Sequence, residues 1–194
     1  MKKITSSIFQ LFAQLGHFDN VEYVLRDREG KIKPIFQLNF LGKILVKHFG
    51  IQVPQTFPFG RFSNRMTLRN LITSAGKAGA ASRLNGAGAE AAFTYIALGT
   101  GTNAAAIGDT ALQTEIASGG GQRVSATASR VTTSVTNDTA QLTNTFSFTS
   151  SFAVTESGIL NAASVGTLLA RQVFAAINVA NGDSLQITWK VQFS

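Results

Sequence analysis

Residues 173–193 read VFAAINVANGDSLQITWKVQF. Their apolar residues recur at every second position: Val173, Ala175, Ile177 and Val179, then, past Asn181-Gly182, Leu185, Ile187, Trp189, Val191 and Phe193. A period of two is the spacing of side chains on one face of a β-strand, so each arm has one dry face and one wet face. Asn-Gly is a two-residue hairpin signal, and it predicts that the two arms pair side by side.

Upstream, Ala140, Leu142, Phe146 and Phe148 repeat the pattern, and Asn137-Asp138 turns the chain into them. The strand before that turn places Val124, Ala126 and Ala128 at even positions but Val131, Thr133 and Val135 at odd ones. That switch predicts a bulge near Ser129 and Arg130. Five or more antiparallel strands of this kind predict a mainly β fold: an antiparallel β-sandwich or jelly-roll-like domain at residues 66–194, with one or two short helices.

Two helices are expected within or at the start of that domain. Leu68–Leu84 has helical composition, with Leu71, Ile72, Ala75 and Gly79 at near-helical spacing and Asn85-Gly86 to end it. Gly76 and Gly79 weaken it by up to about 1 kcal/mol each relative to alanine, but permit close approach to a sheet. Asp109 is a plausible N-cap for a second helix at Thr110–Ala117, stopped by Gly119-Gly120-Gly121.

Residues 1–65 read as an extended N-terminal arm. Nine of the fifteen phenylalanines fall there, at 9, 12, 18, 36, 40, 49, 57, 59 and 62, without a continuous period, so the rings need a surface to cover. Val21–Leu25, a turn at Asp27–Gly30 and Lys31–Leu38 predict a hairpin, with Pro34 marking an edge strand. Asn39 is placed to cap a helix at Phe40–Phe49, with Leu41, Ile44, Leu45 and His48 on one face and Gly50 at its end. Pro54 and Pro58 make VPQTFPFG an extended linker.

The charge lies in the same region. Residues 1–70 hold 11 Lys and Arg against 4 Asp and Glu, and residues 71–194 hold 6 against 6, so the whole excess of +7 lies in the first 70. Arg61, Arg65 and Arg69 recur every four residues, near Lys31, Lys33, Lys43 and Lys47. Such a series suits phosphates. Interspersed Asp19, Glu22, Asp27 and Glu29, and the many phenylalanines, favour docking on an acidic, partly apolar protein surface over direct DNA contact. The interaction residues expected of the arm are Phe36, Phe40, Lys43, Lys47, Phe57, Phe59, Arg61 and Arg65.

Catalytic chemistry finds little footing. With no cysteine, thiol catalysis, thiolate metal sites and disulfides are excluded. His17 and His48 have no carboxylate at ligand spacing, so no metal site is expected, and neither histidine is in the β region where a Ser/His/Asp set would have to form. Gly99-Thr100-Gly101-Thr102-Asn103-Ala104 fits G-x-G-x-x-A after a strand, but four residues separate it from the expected helix and no βαβ unit follows. It reads as a tight turn using positive φ, and no cofactor is expected. Glu156 interrupts a weakly charged strand. A structural role is expected for it, accepting hydrogen bonds from a neighbouring turn or pairing with Arg171 or Arg123. Gln10 and Gln14 break the apolar run of MKKITSSIFQLFAQLG, against a signal peptide, and no stretch is long enough to span a bilayer, so no membrane partner is expected.

Five stretches carry a resemblance: Phe93–Ile116 (FTYIALGTGTNAAAIGDTALQTEI), Val154–Ala163 (VTESGILNAA), Thr167–Phe174 (TLLARQVF), Asp183–Phe193 (DSLQITWKVQF) and Asn70–Gly86 (NLITSAGKAGAASRLNG). In order and spacing they resemble a domain of tailed-bacteriophage virion proteins, over roughly residues 68–194. That pattern has a Tyr-Ile-Ala-Leu-Gly-Thr-Gly strand, an Asp-Thr-Ala-Leu-x-x-Glu helix, a Glu-Ser-Gly strand and a closing Thr-Trp strand. The resemblance implies a non-enzymatic structural protein made in the host cytoplasm and carried in the virion. Its implied role is capsid decoration or cement, attached here by the arm, with a tail, baseplate, neck or fibre-base adaptor as the alternative. A glycan- or cell-surface-binding module is a further alternative. Implied partners are capsid or tail proteins and further copies of the chain, a trimer being favoured.

Overall fold

Successive strands of the chain cross between two antiparallel sheets. The computed structural model describes residues 20–49, 55 and 58–193. The front sheet runs in the order β2 (Ile32–Lys33), β1 (Asn20–Arg26), β13 (Ser184–Gln192), β10 (Thr139–Ser147) and β9 (Thr127–Val131). A further strand, β5 (Met66–Arg69), pairs with the first half of β1. The back sheet runs β6 (Leu71–Ile72), β12 (Leu168–Val179), β11 (Phe152–Leu160), β7 (Tyr95–Gly99) and β8 (Val124–Ser125). A two-stranded ribbon, β3 (Ile35–Leu38) with β4 (Gly60–Ser63), completes the strands. Among the described residues there are two helices, α1 (Phe40–Phe49) and α2 (Ser74–Asn85). The fold is mainly β, with antiparallel sheets packed face to face, as expected.

The core lies between the sheets. Trp189, Tyr23, Phe146, Ile187 and Leu185 enter from the front, and Ile96, Leu98, Val154, Ile159 and Ile177 from the back, each with 2 % exposure or less. Trp189 Nε1 donates to Ser157 Oγ across the gap at 3.1 Å, so the one polar atom of the indole is satisfied. Tyr23 packs against Phe174 with ring centroids 4.5 Å apart. Burial without a charged partner pushes the Tyr23 hydroxyl well above its usual pKa.

The period of two holds for Ile177 and Val179 of β12 and for Leu185, Ile187 and Trp189 of β13. It fails at residues 173–175 and at the end of β13, where Val191 is half-buried and Phe193 is exposed, and the two strands do not pair as a hairpin. They lie in opposite sheets, and Ala180–Asp183 carries the chain across. One dry face on each strand is satisfied as well by facing across a sandwich as by lying side by side, so periodicity alone cannot tell the two apart. The crossing is fastened by Asp183. Its Oδ2 accepts Ala180 N at 2.9 Å and Lys33 Nζ at 2.6 Å, and its carbonyl accepts Phe148 N at 2.9 Å. Gly182 stands at φ +92° and donates to Phe148 O, with Arg28 against its Cα.

No bulge occurs at Ser129 and Arg130: β9 pairs with β10 in unbroken register from Thr127 to Val131, and Ala128 is exposed rather than on a dry face. The chain changes sheets before it, at Ala126, with β8 in the back sheet and β9 in the front. The irregular register falls instead between β11 and β12, where Val154 faces Ile177 but Glu156 faces Val173. The extra residues in β12 turn Phe174 toward Tyr23, although the alternation had placed Val173 and Ala175 on the dry face.

The turn at Asn137-Asp138 is as expected, and Asp138 holds it. Its carboxylate accepts Val135 N at 2.9 Å, Thr133 N and Ser134 N at 2.8 Å each, and the Thr139 hydroxyl at 2.9 Å. The Val135 amide, then those of Thr133 and Ser134, hold its pKa well below the usual carboxylate range. A depressed folded pKa contributes stability above the ordinary aspartate value of about 4, and that contribution fades as pH falls through the folded value. Asp138→Asn is therefore expected to melt below wild type at neutral pH, with the gap narrowing below about pH 4. Paired thermal melts from neutral to acid pH check this, and a gap independent of pH would contradict it.

Three boundaries move. The helix expected at Leu68–Leu84 starts at Ser74, because Leu68 belongs to β5 and Leu71 and Ile72 to β6. Thr73 is its N-cap, accepting Gly76 N at 2.9 Å, and Gly86 ends it in the left-handed region. The expected close approach is there: a Cβ on Gly76 would collide with Leu169 O of β12. The helix expected at Thr110–Ala117 does not form, for a reason given below. Nor does the fold divide at residue 65. The hairpin of β1 and β2 forms around Asp27–Gly30 as expected, but β1 then pairs along its whole length with β13, with Val21 and Tyr23 fully buried. An alternating strand signals one dry face without naming its partner, and here that partner is the last strand of the chain.

Pro34 ends β2 and releases β3 to pair with β4. Asn39 caps α1 as expected, its Oδ1 accepting Gly42 N at 2.9 Å. The expectations for residues 1–19, for Gly50 as helix stop and for half of the 53–60 linker lie outside the described residues.

Candidate attachment surface

The expected interaction residues fall into two groups. Phe57 lies outside the described residues, as do the side chains of Phe40 and Lys47. The others cluster on the β3–β4 ribbon, on α1 and in the turn between β4 and β5. Phe36 is buried at 3 % exposure and stacks edge-on against Phe62, its cross-strand partner, at 5.3 Å between centroids. Phe62 itself is 58 % exposed and Leu41 of α1 is 46 % exposed. Phe59 is half-buried, and its carbonyl accepts Asn39 N. Gly42 brings α1 onto that bend, since a Cβ there would collide with Phe59 O. Lys43 and Arg61 are exposed. Arg65 is exposed too and meets Glu22 at 3.1 Å, a surface pair of little energetic weight. A shallow groove runs beneath the ribbon, lined by Pro34, Ile35, Phe62, Ala176 and Asn178.

Phe62 and Leu41 are exposed apolar residues of this candidate surface that the expected interaction set left out. Phe36 and Phe62 meet only because β3 and β4 pair across a loop holding a helix, which no local pattern announces. A signal was present in the heptapeptide FPFGRFS, where aromatic rings alternate with turn residues beside Arg61.

The electrostatics of the surface follow from where the carboxylates go. Among the described residues, Glu22, Asp27, Glu90, Asp109, Glu115, Asp138, Glu156 and Asp183 all accept hydrogen bonds or ion pairs within the chain, while Glu29 is exposed in the turn between β1 and β2. From Lys31 to Ala89 the sequence has no acidic residue at all. Lys31, Lys43, Arg61 and Lys77, all exposed, stand in that stretch. Of these cations, Lys43 and Arg61 lie on α1 and the ribbon, where Phe62 and Leu41 are exposed as well.

Glu156 takes the place a ligand phosphate would need. It is fully buried, and its Oε1 accepts Gly101 N at 3.0 Å and Thr114 N at 2.8 Å, while Oε2 accepts Gln113 N at 3.0 Å and Arg171 Nε at 2.8 Å. The expected structural role holds, with Arg171 as the partner; Arg123 pairs instead with Glu115 at 2.6 Å. Cβ atoms on Gly99 or Gly101 would each collide with Glu156 Oε1. These glycines are needed for the approach of a carboxylate rather than for positive φ, and the amides of the G-x-G turn are occupied by the protein's own anion. The same carboxylate explains the missing helix. Gln113 N and Thr114 N point at Glu156, and Ile116 N at Leu98 O, so the segment runs as an extended strap over the end of β7. Asp109 accepts Ala106 N and bridges to Arg171 Nη1 at 2.8 Å, and these contacts outweigh burial to lower its pKa. Arg171, though buried, is held protonated by Asp109 and Glu156.

Trp189 and Tyr23 are fully buried, so neither offers a stacking platform for a sugar. Among the described residues no group of three His, Asp or Glu side chains converges on a point, and no helix is long and apolar enough to cross a membrane. Compared with protein-family models, curated proteins and solved structures, the chain finds no match.

Proposed function

We propose that this chain is a structural protein of a tailed-bacteriophage virion, a non-enzymatic capsid decoration or cement protein that attaches through the ribbon β3–β4 and α1. The observation that supports this reading is the exposure of cations and apolar side chains together on the ribbon and α1. Lys43, Arg61, Phe62 and Leu41 stay exposed there, in a stretch of sequence without a carboxylate, a combination that suits an acidic, partly apolar protein surface. Many copies attached to a shared lattice would sum modest affinities. The order and spacing of the sequence motifs that resemble phage virion domains support the same reading, with the segment matching their Asp-Thr-Ala-Leu-x-x-Glu helix standing here as an extended strap.

An antibody fragment against residues 120–194, imaged on purified virions, tests the location. Labels over the whole head are expected. Labels confined to the neck or tail would assign the protein to an adaptor at the tail or fibre base, and unlabelled particles would overturn the virion reading.

A further inference from the structure

The two most exposed large apolar side chains among the described residues are Leu84, at 90 %, and Val165, at 84 %. Leu84 lies in the last turn of α2. Val165 is at the tip of the loop 161–167 that joins β11 to β12. Glu90 ties the two places together: its carboxylate accepts the Asn161 amide, and its carbonyl accepts Arg83 Nη1 at 3.3 Å. Asn161 Oδ1 accepts Thr167 N at 2.7 Å across the base of the loop.

Val165 is strained. It stands at φ +56°, a region that β-branched residues avoid. Arg123 clamps it there, donating from Nη1 to Ala162 O at 3.0 Å and to Val165 O at 2.7 Å. The rest of that guanidinium is fixed by Glu115, at 2.8 Å to Nε and 2.6 Å to Nη2. A glycine would occupy the position without strain. The isopropyl group instead points away from its own fold, on a loop braced from within.

Charge decides what could cover it. Residues 84–92 contain one charged residue, Glu90, and residues 157–170 contain none. Glu90 and its neighbour Arg83 are both engaged internally. Arg83, exposed beside Leu84, and Glu90 give this patch one cation and one carboxylate, so it carries no net charge. Two copies of a chain of net charge +7 repel one another over most of their surface, and a neutral apolar patch is where that repulsion is weakest. We infer that this end of the sandwich is the contact between two copies of the chain, an isologous interface in which Val165 and Leu84 of each copy are buried by the other. The inference is independent of attachment, because its residues lie apart from the ribbon and its test uses no particle.

Sedimentation equilibrium of the purified full chain across the micromolar range is the test. Wild type is expected at twice 20.6 kDa, since an isologous contact closes at two copies, and Leu84→Asp and Val165→Asp at the monomer mass. Val165→Gly removes the side chain together with its strain, so it is expected to melt no lower than wild type and still to dissociate. Added salt should preserve or strengthen association, since it screens the repulsion between like-charged copies. A monomeric wild type, aspartate variants that keep the wild-type mass, a Val165→Gly variant that associates normally, or association weakened by salt would each overturn the inference.

Discussion

Glu156→Ala is expected to be the most destabilising single substitution in the chain, by roughly 4 kcal/mol or more in denaturant unfolding. Three backbone amides, of Gly101, Gln113 and Thr114, and the buried Arg171 would lose their acceptor together. Each orphaned buried donor costs about 1–3 kcal/mol, and a buried guanidinium left with Asp109 alone adds to it. Partial rehydration of Gln113 and Thr114 keeps the total below a simple sum. Against a typical domain stability of about 5–15 kcal/mol, the loss removes much of the margin. Glu156→Gln should fall between, since it keeps one acceptor oxygen but presents an NH₂ group to donors. An alanine variant within about 1 kcal/mol of wild type would show that the strap 100–114 holds its course without the carboxylate.

Trp189→Ala is expected to cost roughly 3–5 kcal/mol, the range for emptying a large aromatic site in a packed core. The indole is fully buried in the middle of β13, the strand shared by β1 and β10. Its removal leaves a cavity between the sheets and also orphans the Ser157 hydroxyl. A loss under about 1 kcal/mol would place the residue at a site able to collapse or rehydrate.

Strand periodicity is local information, and what it governs was legible. The alternation of Leu185, Ile187 and Trp189 marked the dry face of β13, and Asn39, Gly86 and Asn137-Asp138 marked caps and turns that the structure keeps. What a strand pairs with is not local. The partner of β13 is β1, some 160 residues away in sequence, so a segment that reads as an arm because of its irregular phenylalanines is built into the front sheet. The Asp109–Glu115 segment has genuine helix signals, and a distant carboxylate overrides them by offering its amides a better acceptor. Glu156 stood out because it interrupts a weakly charged strand. Of the attachment surface, Lys43, Arg61 and Phe36 were legible from charge and composition, whereas Phe62 is brought beside Phe36 only by the pairing of β3 with β4.

This architecture also settles how attachment has to be tested. Deleting the first 60 residues would remove β1, with Val21 and Tyr23 from the core, and so would confound loss of anchoring with loss of fold. Point variants of the full chain avoid that, since Phe62, Lys43 and Arg61 are exposed. The most direct measurement is co-sedimentation of the full chain with virions from which it has been stripped, at increasing salt, for wild type, Phe62→Asp and the Lys43→Glu, Arg61→Glu double variant. Both variants are expected to bind at least about tenfold more weakly, a loss of roughly 1.4 kcal/mol, and wild-type binding is expected to weaken as salt rises. Variants that bind as wild type does, with no response to salt, would contradict attachment through this face.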